Sequence, residues 1–464
     1  MVHHSPSQSG VRHVPSAIRL IARTAACTIL VLRPPCVLAD AIDTYIRAEM
    51  SNQHLPGLAL AVIHDGKPVK VKTYGLSNLE LNTPVTPDTV FRIASMSKQI
   101  IATAAMLLVQ DGALSLDDPI CKYLEDCPEA WRAITVTQVL SHTSGLANEA
   151  PGNNPLLTES DMDVIRRAYP VPLKSKPGEK WLYSNLGYSV AAEIIHKASG
   201  RPWPQIIAER IFMPLGMNDT RTTSLTDLVP NRAAGYQFRD NRQGNALPPI
   251  QLRPSGAFLS TLADLIKWDA AVTAGKLLPK PVQDQMWTPV RLSDGSSTQY
   301  GFGWWVDEVA GHRRIRHGGS QPGFRTEYSR FVDEHLNVIV LVNGESTRPD
   351  DIALEVANQF IPGLVNDRKT IRLSPSELAP YAGRYRVGSS SILTIGVDGS
   401  GLSIQSSDCC AQFHLLAETP SVFFLSKDES YVFTREGDQV AQLEVRFGTA
   451  ASAGASELKA PRIP

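Results

Sequence analysis

The sequence predicts a mixed α/β fold of the α+β kind. An antiparallel sheet is flanked by helices, a helical subdomain lies beside it, and a small antiparallel β-barrel follows at the C-terminal end. Three observations lead there. Strand patterns occur near both ends of the stretch 40–362. Helical periodicity and long loops fill the region between them. Several short strand patterns with Gly/Asp turns crowd into 377–448.

The elements follow in order. From residue 40 to about 52, Ile42, Tyr45, Ile46 and Met50 share one side of an amphipathic helix. The apolar run 58–63 ends at Asp65-Gly66, and Val69 to Tyr74 then alternates, which reads as a hairpin. From Ser95 to Gln110 the apolar residues Ile100, Ile101, Ala104, Ala105, Leu107 and Leu108 recur at helical spacing, and Asp111-Gly112 stops the run. So wide a stripe means a buried helix. Residues 115 to 290 read as helices and long loops. The irregular stretches 151–155 and 222–249 are of a length that usually borders a site. The sheet resumes at 301–306, 315–317, 325–331 and 337–342, and a helix at 350–361 closes it. A sheet assembled from such distant segments puts a site between itself and the helical insertion. Residues 363–376, with Gly363, Asn366 and Pro375, read as a linker. The barrel occupies 377–448, with a hairpin turn at Asp398-Gly399-Ser400-Gly401, and 449–464 reads as a disordered tail.

Composition sets limits. A chain of 464 residues leaves room for two or three domains. The net charge of −1 gives no reason to expect a nucleic-acid partner. No run of 18 apolar residues exists, so no transmembrane segment is predicted. Residues 1–39 read as a signal peptide for export to the periplasm or medium. Arg12, Arg19 and Arg23 form its positive region, Thr24 to Leu32 its apolar core, and Val37-Leu38-Ala39 its end, with cleavage before Asp40. The competing reading is a disordered basic leader. Cys121 and Cys127 flank a short loop and either form a disulfide in an exported chain or stay as two thiols. The adjacent Cys409 and Cys410 are expected to pack rather than do redox work, and no Cys/His spacing suggests zinc.

The chemistry sits in three motifs: Ser95-Met96-Ser97-Lys98, Tyr183-Ser184-Asn185 and His317-Gly318-Gly319. A serine hydroxyl is a poor nucleophile at neutral pH without an adjacent base. A lysine three residues along a helix lies on the serine's own face. A tyrosine can relay the proton, and an asparagine can hold a substrate amide. A histidine beside two glycines can meet the far end of a substrate while the backbone N–H groups stay available. A second Ser-x-x-Lys, at Ser456 to Lys459, lies in the Ala/Ser-rich tail and reads as a decoy. No G-x-S-x-G elbow is present, which argues against the α/β-hydrolase route.

With these motifs in this order, the chain resembles the serine β-lactamase / penicillin-binding-protein-like superfamily, in its class C-like branch. The likeness runs from about Ile42 to about Ile361. Besides the three motifs it is carried by 140–146 (Leu-Ser-His-Thr-Ser-Gly-Leu), by Pro177-Gly178-Glu179 and by 254–261 (Pro-Ser-Gly-Ala-Phe-Leu-Ser-Thr). Residues 300–305 (Tyr-Gly-Phe-Gly-Trp-Trp) and Ser320-Gln321-Pro322-Gly323-Phe324 complete it. The resemblance implies Ser95 as nucleophile, Lys98 or Tyr183 as its base, and Asn185 bonded to substrate or to Lys98. It also implies an oxyanion hole made by the N–H groups of Ser95 and Ser320, and no metal or cofactor. Tyr381-Ala382-Gly383-Arg384-Tyr385 resembles the lipocalin-like C-terminal domain of some relatives.

One departure matters. His317-Gly318-Gly319 stands where β-lactamases and DD-peptidases carry Lys-Thr-Gly, so the fixed cation and the hydroxyl for a substrate carboxylate are missing. Arg325 is the candidate replacement, weighed against a structural ion pair. His142 and Ser144 are expected to shape a turn, Ser97 to be structural, and Trp304 and Trp305 to pack, with one of them able to wall the pocket. The expected activity is hydrolysis of a small ester, amide or peptide: a carboxylesterase or a D-amino-acid/small-peptide hydrolase. A β-lactamase or DD-peptidase is the alternative within the class, and a non-catalytic binding module is the alternative outside it.

Overall fold

The computed structural model describes residues 35–463, except 153–158, 223–226, 240, 248–252, 366–367, 388–390, 400, 408–411, 427–428, 438 and 448–455. Helix α1 (Pro35–Asn52) leads into the hairpin β1 (Gly57–His64) and β2 (Lys67–Asn78), followed by the short β3 (Thr83–Pro84). Helix α2 spans Ser97–Gln110, α3 Asn185–Ser199 and α4 Leu262–Thr273. The sheet resumes with β4 (Trp305–Val309), β5 (His312–Gln321), β6 (Phe324–Phe331) and β7 (Leu336–Val342), and α5 (Pro349–Asn358) follows. The strand order is β3-β2-β1-β7-β6-β5-β4, and Leu58 pairs with Val342 across the β1/β7 seam.

Side chains alternate across this sheet. Ala59, Ala61, Tyr328, Ile339 and Leu341 face the helical insertion and join its large core. Leu58, Leu60, Val338, Val340 and Val342 face α1 and α5, where Ile42, Ile46, Ile352 and Val356 cover them. The run 58–63 is apolar throughout because both of its faces are buried.

The C-terminal region is a closed antiparallel barrel: β8 (Gly383–Val387), β9 (Ser391–Asp398), β10 (Gly401–Ser406), β11 (Gln412–Thr419), β12 (Val422–Ser426), β13 (Glu429–Glu436), β14 (Gln439–Phe447) and β15 (Ser456–Ile463). Tyr381 and Tyr385 of the Tyr-Ala-Gly-Arg-Tyr motif pack into its core against Phe433, and Tyr385 donates to the Tyr381 carbonyl at 2.7 Å.

Two expectations are corrected here. The segment 449–464 is not simply a tail, because residues 456–463 form the strand that closes the barrel, paired with β14 on one side and β8 on the other. The second Ser-x-x-Lys therefore lies on a strand and not on a helix. The first helix begins at Pro35, upstream of residue 40, and so runs through the expected cleavage position. The rest of the expected leader and the Cys409-Cys410 pair lie outside the described residues. Cys121 and Cys127 form a disulfide.

Deleting 456–463 leaves β8 and β14 each with an unpaired edge, the hazard that a closed barrel removes. The expected outcome is high-molecular-weight aggregate on size-exclusion chromatography. Elution identical to the full chain would show that the closing strand is dispensable.

Candidate active site

Ser95 lies in a 3₁₀ turn, Ala94–Met96, that runs directly into α2. Every residue from 90 to 108 is buried except Ser95, which stays partly exposed. The turn is held from three directions. Ile93 N–H donates to the Phe258 carbonyl at 3.1 Å, Thr326 Oγ donates to the Ile93 carbonyl at 3.0 Å, and Phe258 N–H donates to Ser97 Oγ at 3.1 Å. Ser97 is therefore structural, as expected. Ala94 has φ +48°, a conformation rare for a residue with a Cβ and costing about 1–3 kcal/mol, which these contacts hold in place.

Lys98 is fully buried one helical turn beyond Ser95. Its Nζ lies 3.1 Å from Ser95 Oγ, 2.8 Å from Asn185 Oδ1 and 2.9 Å from the Ser255 carbonyl. Burial lowers its pKa to about 7, against a smaller opposing pull from Glu149. Its Nζ also sits over the rings of Tyr183 (4.8 Å) and Tyr188 (5.4 Å). The Tyr183 hydroxyl hydrogen-bonds Ser95, and burial raises its pKa, so it stays protonated.

Asn185 opens α3, where Ser184 caps the helix by accepting from Gly187 N–H at 2.9 Å. The Asn185 amide bridges two groups: Oδ1 accepts from Lys98 and Nδ2 donates to Glu149 Oε1 at 2.7 Å. Glu149, exposed on the loop before the site, is a participant that the sequence reading missed. The Ser255 carbonyl is another, and a main-chain acceptor leaves no mark in a sequence.

His142 does more than shape a turn. It takes φ +61°, accepts from Ser184 N–H at 3.0 Å through Nδ1, and lies 4.3 Å from the Tyr183 ring. It thereby fixes the segment that carries Tyr183. Ser144 has the expected turn role, accepting from Leu146 N–H at 3.3 Å. Trp304 is core, whereas Trp305 stands with Trp181 and Tyr300 as an aromatic wall, with ring centroids 5.0 and 5.2 Å away.

Strand β5 delivers His317, Gly318, Gly319 and Ser320. Its outer edge is covered by β4 only as far as Arg316, which pairs with Trp305. The edge from 317 onward faces the serine turn instead. The approach is so close that a Cβ on Gly319 would lie 2.3 Å from the Ile93 carbonyl and 3.0 Å from Ala94 Cβ. A Cβ on Gly318 would lie 2.6 Å from a Glu327 carboxylate oxygen on the other face. Position 319, set against main chain, thus requires glycine, whereas a side chain at 318 would displace the Glu327 carboxylate.

Two expected substrate contacts are corrected by their surroundings. His317 is buried, and both its ring nitrogens are engaged, Nε2 with the Tyr300 hydroxyl at 2.9 Å and Nδ1 with the Gly318 carbonyl at 2.6 Å. Burial and nearby Lys98 lower its pKa to about 3, so it is a neutral wall and not a cation. Arg325 pairs with Val342 and thus shares the α1/α5 face of the sheet, away from Ser95. Its guanidinium donates to the carbonyls of Gln321 (3.1 Å) and Phe324 (3.0 Å). Neither residue offers positive charge to a substrate carboxylate at Ser95.

Comparison with known proteins fits this geometry. The chain is 27% identical over 343 residues to penicillin-binding protein 4* of Bacillus subtilis (strain 168), covering 68% of this chain and 75% of the relative. It is 28% identical over 330 residues to a D-aminopeptidase of Brucella anthropi, covering 69% of this chain but only 62% of that protein. Among solved structures, a D-amino acid amidase from Ochrobactrum anthropi SV3 superposes with a TM-score of 0.60 at 25% identity, covering 70% of this chain and 99% of that one. The family model described as Beta-lactamase matches residues 42–360, well over half of the sequence. The chain belongs to the beta-lactamase family.

Proposed function

We propose that the chain is a serine hydrolase that cleaves an ester or amide bond through an acyl-enzyme on Ser95. The observation that carries this reading is the set of partners around Lys98. Two of the three, Asn185 Oδ1 and the Ser255 carbonyl, can only accept. A neutral amine has two N–H donors for them and one lone pair left, and the remaining neighbour is the Ser95 hydroxyl. With a pKa near 7 the amine is neutral in a large fraction of molecules at neutral pH. Lys98 therefore takes the proton and Tyr183, held protonated, is the donor.

Ser95 Oγ attacks the carbonyl carbon as its proton passes to Lys98. The carbonyl oxygen becomes an oxyanion between the N–H groups of Ser95 and Ser320. Collapse breaks the bond to the leaving group, which takes a proton through the Tyr183 hydroxyl while Lys98 gives one up. Water then attacks the acyl-enzyme by the same route in reverse, releasing the acid and restoring Ser95.

Within this class we favour small esters and amino-acid or peptide amides over β-lactams. Neutral His317 and averted Arg325 leave a substrate carboxylate without a partner. Glu149, beside Asn185, favours a substrate that carries an ammonium group. The likeness to a D-aminopeptidase and a D-amino acid amidase supports the same choice. The disulfide fits an exported protein, which remains part of the proposal.

The test is hydrolysis of a short-chain aryl ester, a D-alanyl anilide and a chromogenic cephalosporin, side by side, by the purified chain and by Ser95→Ala. The ester or anilide should lead, and the activity should vanish in Ser95→Ala. Cephalosporin turnover as the leading activity would overturn the substrate preference, and activity unchanged by Ser95→Ala would overturn the mechanism. Glu149→Gln separates the two favoured substrates. It should raise KM for the anilide by up to about fivefold, the worth of one exposed charge contact of about 1 kcal/mol, and leave the ester KM nearly unchanged. Equal effects on both would mean that Glu149 acts only through Asn185.

A further inference from the structure

A second cavity, of about 160 Å³, lies at the seam between the catalytic domain and the barrel. Its two sides differ in character. The barrel contributes apolar surface from Phe413, Leu416, Phe424 and Leu425. The catalytic domain contributes three carboxyl groups: Glu49 from α1, and Asp351 and Glu355 from α5. Arg348 also lines it, but its guanidinium is already shared between Asp351, at 3.5 Å, and Glu429 of the barrel.

The polar groups here are short of donors. Thr347, 2% exposed, has no hydrogen-bond partner for its Oγ among the described residues. Gln53, 9% exposed, gives its amide N–H to Glu49 and leaves Oε1 without a partner among them. Burial, with a smaller push from Glu355, raises the Glu49 carboxyl to about 7, and burial raises that of Asp351 well above its ordinary range against the pull of Arg348. A buried polar atom without a partner costs about 1–3 kcal/mol, which an incoming group that donates N–H bonds to Thr347 and Gln53 would recover. The imidazole of His414, also on the lining, is turned to Asp398 at 3.0 Å.

We propose that this interdomain cavity is a binding site for a small primary ammonium compound with an apolar body. The ammonium would sit among Glu49, Asp351, Gln53 and Thr347, and the apolar body against Phe413, Leu416 and Phe424. The cavity is smaller than sites for drug-sized ligands, about 300–1,000 Å³, which limits the body to a single ring or a short chain. The site joins residues of both domains, so its ligand binds only when they are docked and stabilises that arrangement.

The probe is phenethylamine, with phenethyl alcohol as the uncharged control, titrated calorimetrically into the full chain after Ser95 has been blocked with an aryl phosphonate, which phosphonylates the hydroxyl with loss of the phenol. Saturable binding of the amine is expected, at least about tenfold tighter than the alcohol. Glu49→Gln and Thr347→Val should each weaken it, and Glu149→Gln should not. Hydrogen-exchange protection on adding the amine should rise in 45–53 and 413–425, a readout that needs no variant. Absence of saturable binding, equal binding of the alcohol, or loss of binding in Glu149→Gln would each overturn the proposal.

Discussion

Lys98→Met should lower kcat/KM by roughly 10²–10⁴-fold, the usual worth of a general base, with the fold intact. Methionine suits the fully buried site in size and brings no charge to bury. The wild-type chain should show the matching pH dependence. On the proposed mechanism Lys98 acts only when neutral, and its pKa is lowered to about 7. Activity should therefore be low in acid, rise through about pH 7 and level off above it. Tyr183, whose pKa is raised, should cause no loss over that range. Lys98→Arg is the sharper variant. Its guanidinium keeps its proton at any working pH, so a lysine that acted by charge alone would be partly replaced by arginine. Substantial activity in Lys98→Arg, or a flat wild-type profile between pH 5 and 9, would sink the neutral-lysine mechanism.

Gly319→Val should be nearly as damaging for a different reason. Its Cβ would meet the Ile93 carbonyl at 2.3 Å and Thr326 Oγ at 2.4 Å, and these are the atoms that clamp the serine turn. Relief requires β5 or the turn to move. The stability cost should be about 1–3 kcal/mol, as for other overpacked sites. Activity should fall as well, by about 10²-fold, the cost of a shift of about 1 Å in a reacting group. Gly244→Ala is the control, because an added Cβ there meets nothing nearer than 4.0 Å. Thermal melts and steady-state kinetics on both variants decide the matter. A Gly319→Val enzyme with near-normal kcat/KM would show that β5 need not touch the turn.

Much of the site was legible in the sequence because helix geometry brought it there. Ser95 and Lys98 share a helical face, and the flanking apolar stripe announced that the lysine is buried. The linking partners were less legible. Glu149 reaches Asn185 from a loop with no periodicity, and the Ser255 carbonyl belongs to the main chain. His317 showed its residue type but not its occupancy, since Tyr300 captures its Nε2 from 17 residues upstream. Arg325 stayed open between a substrate contact and a structural ion pair for a similar reason, because only the strand register assigns it to the far face. The closing barrel strand was missed because its buried face offers little apolar signal. Ala460 is buried there while Leu458 is 43% exposed, so pairing with β14 and β8 makes it a strand.

The seam between β1 and β7 has a consequence for how the chain acquires its shape. Leu58 is among the first residues of the sheet to be synthesised, and its partner Val342 is among the last. Until the far segment emerges, β1 has only β2 beside it, and its other edge and both apolar faces stay open. Contacts this remote in sequence form late and slowly. The serine turn depends on them, since Thr326 of β6 and Gly319 of β5 hold it from the distal side. A nascent chain therefore cannot complete the turn that carries Ser95 until nearly the whole region 42–342 has been made.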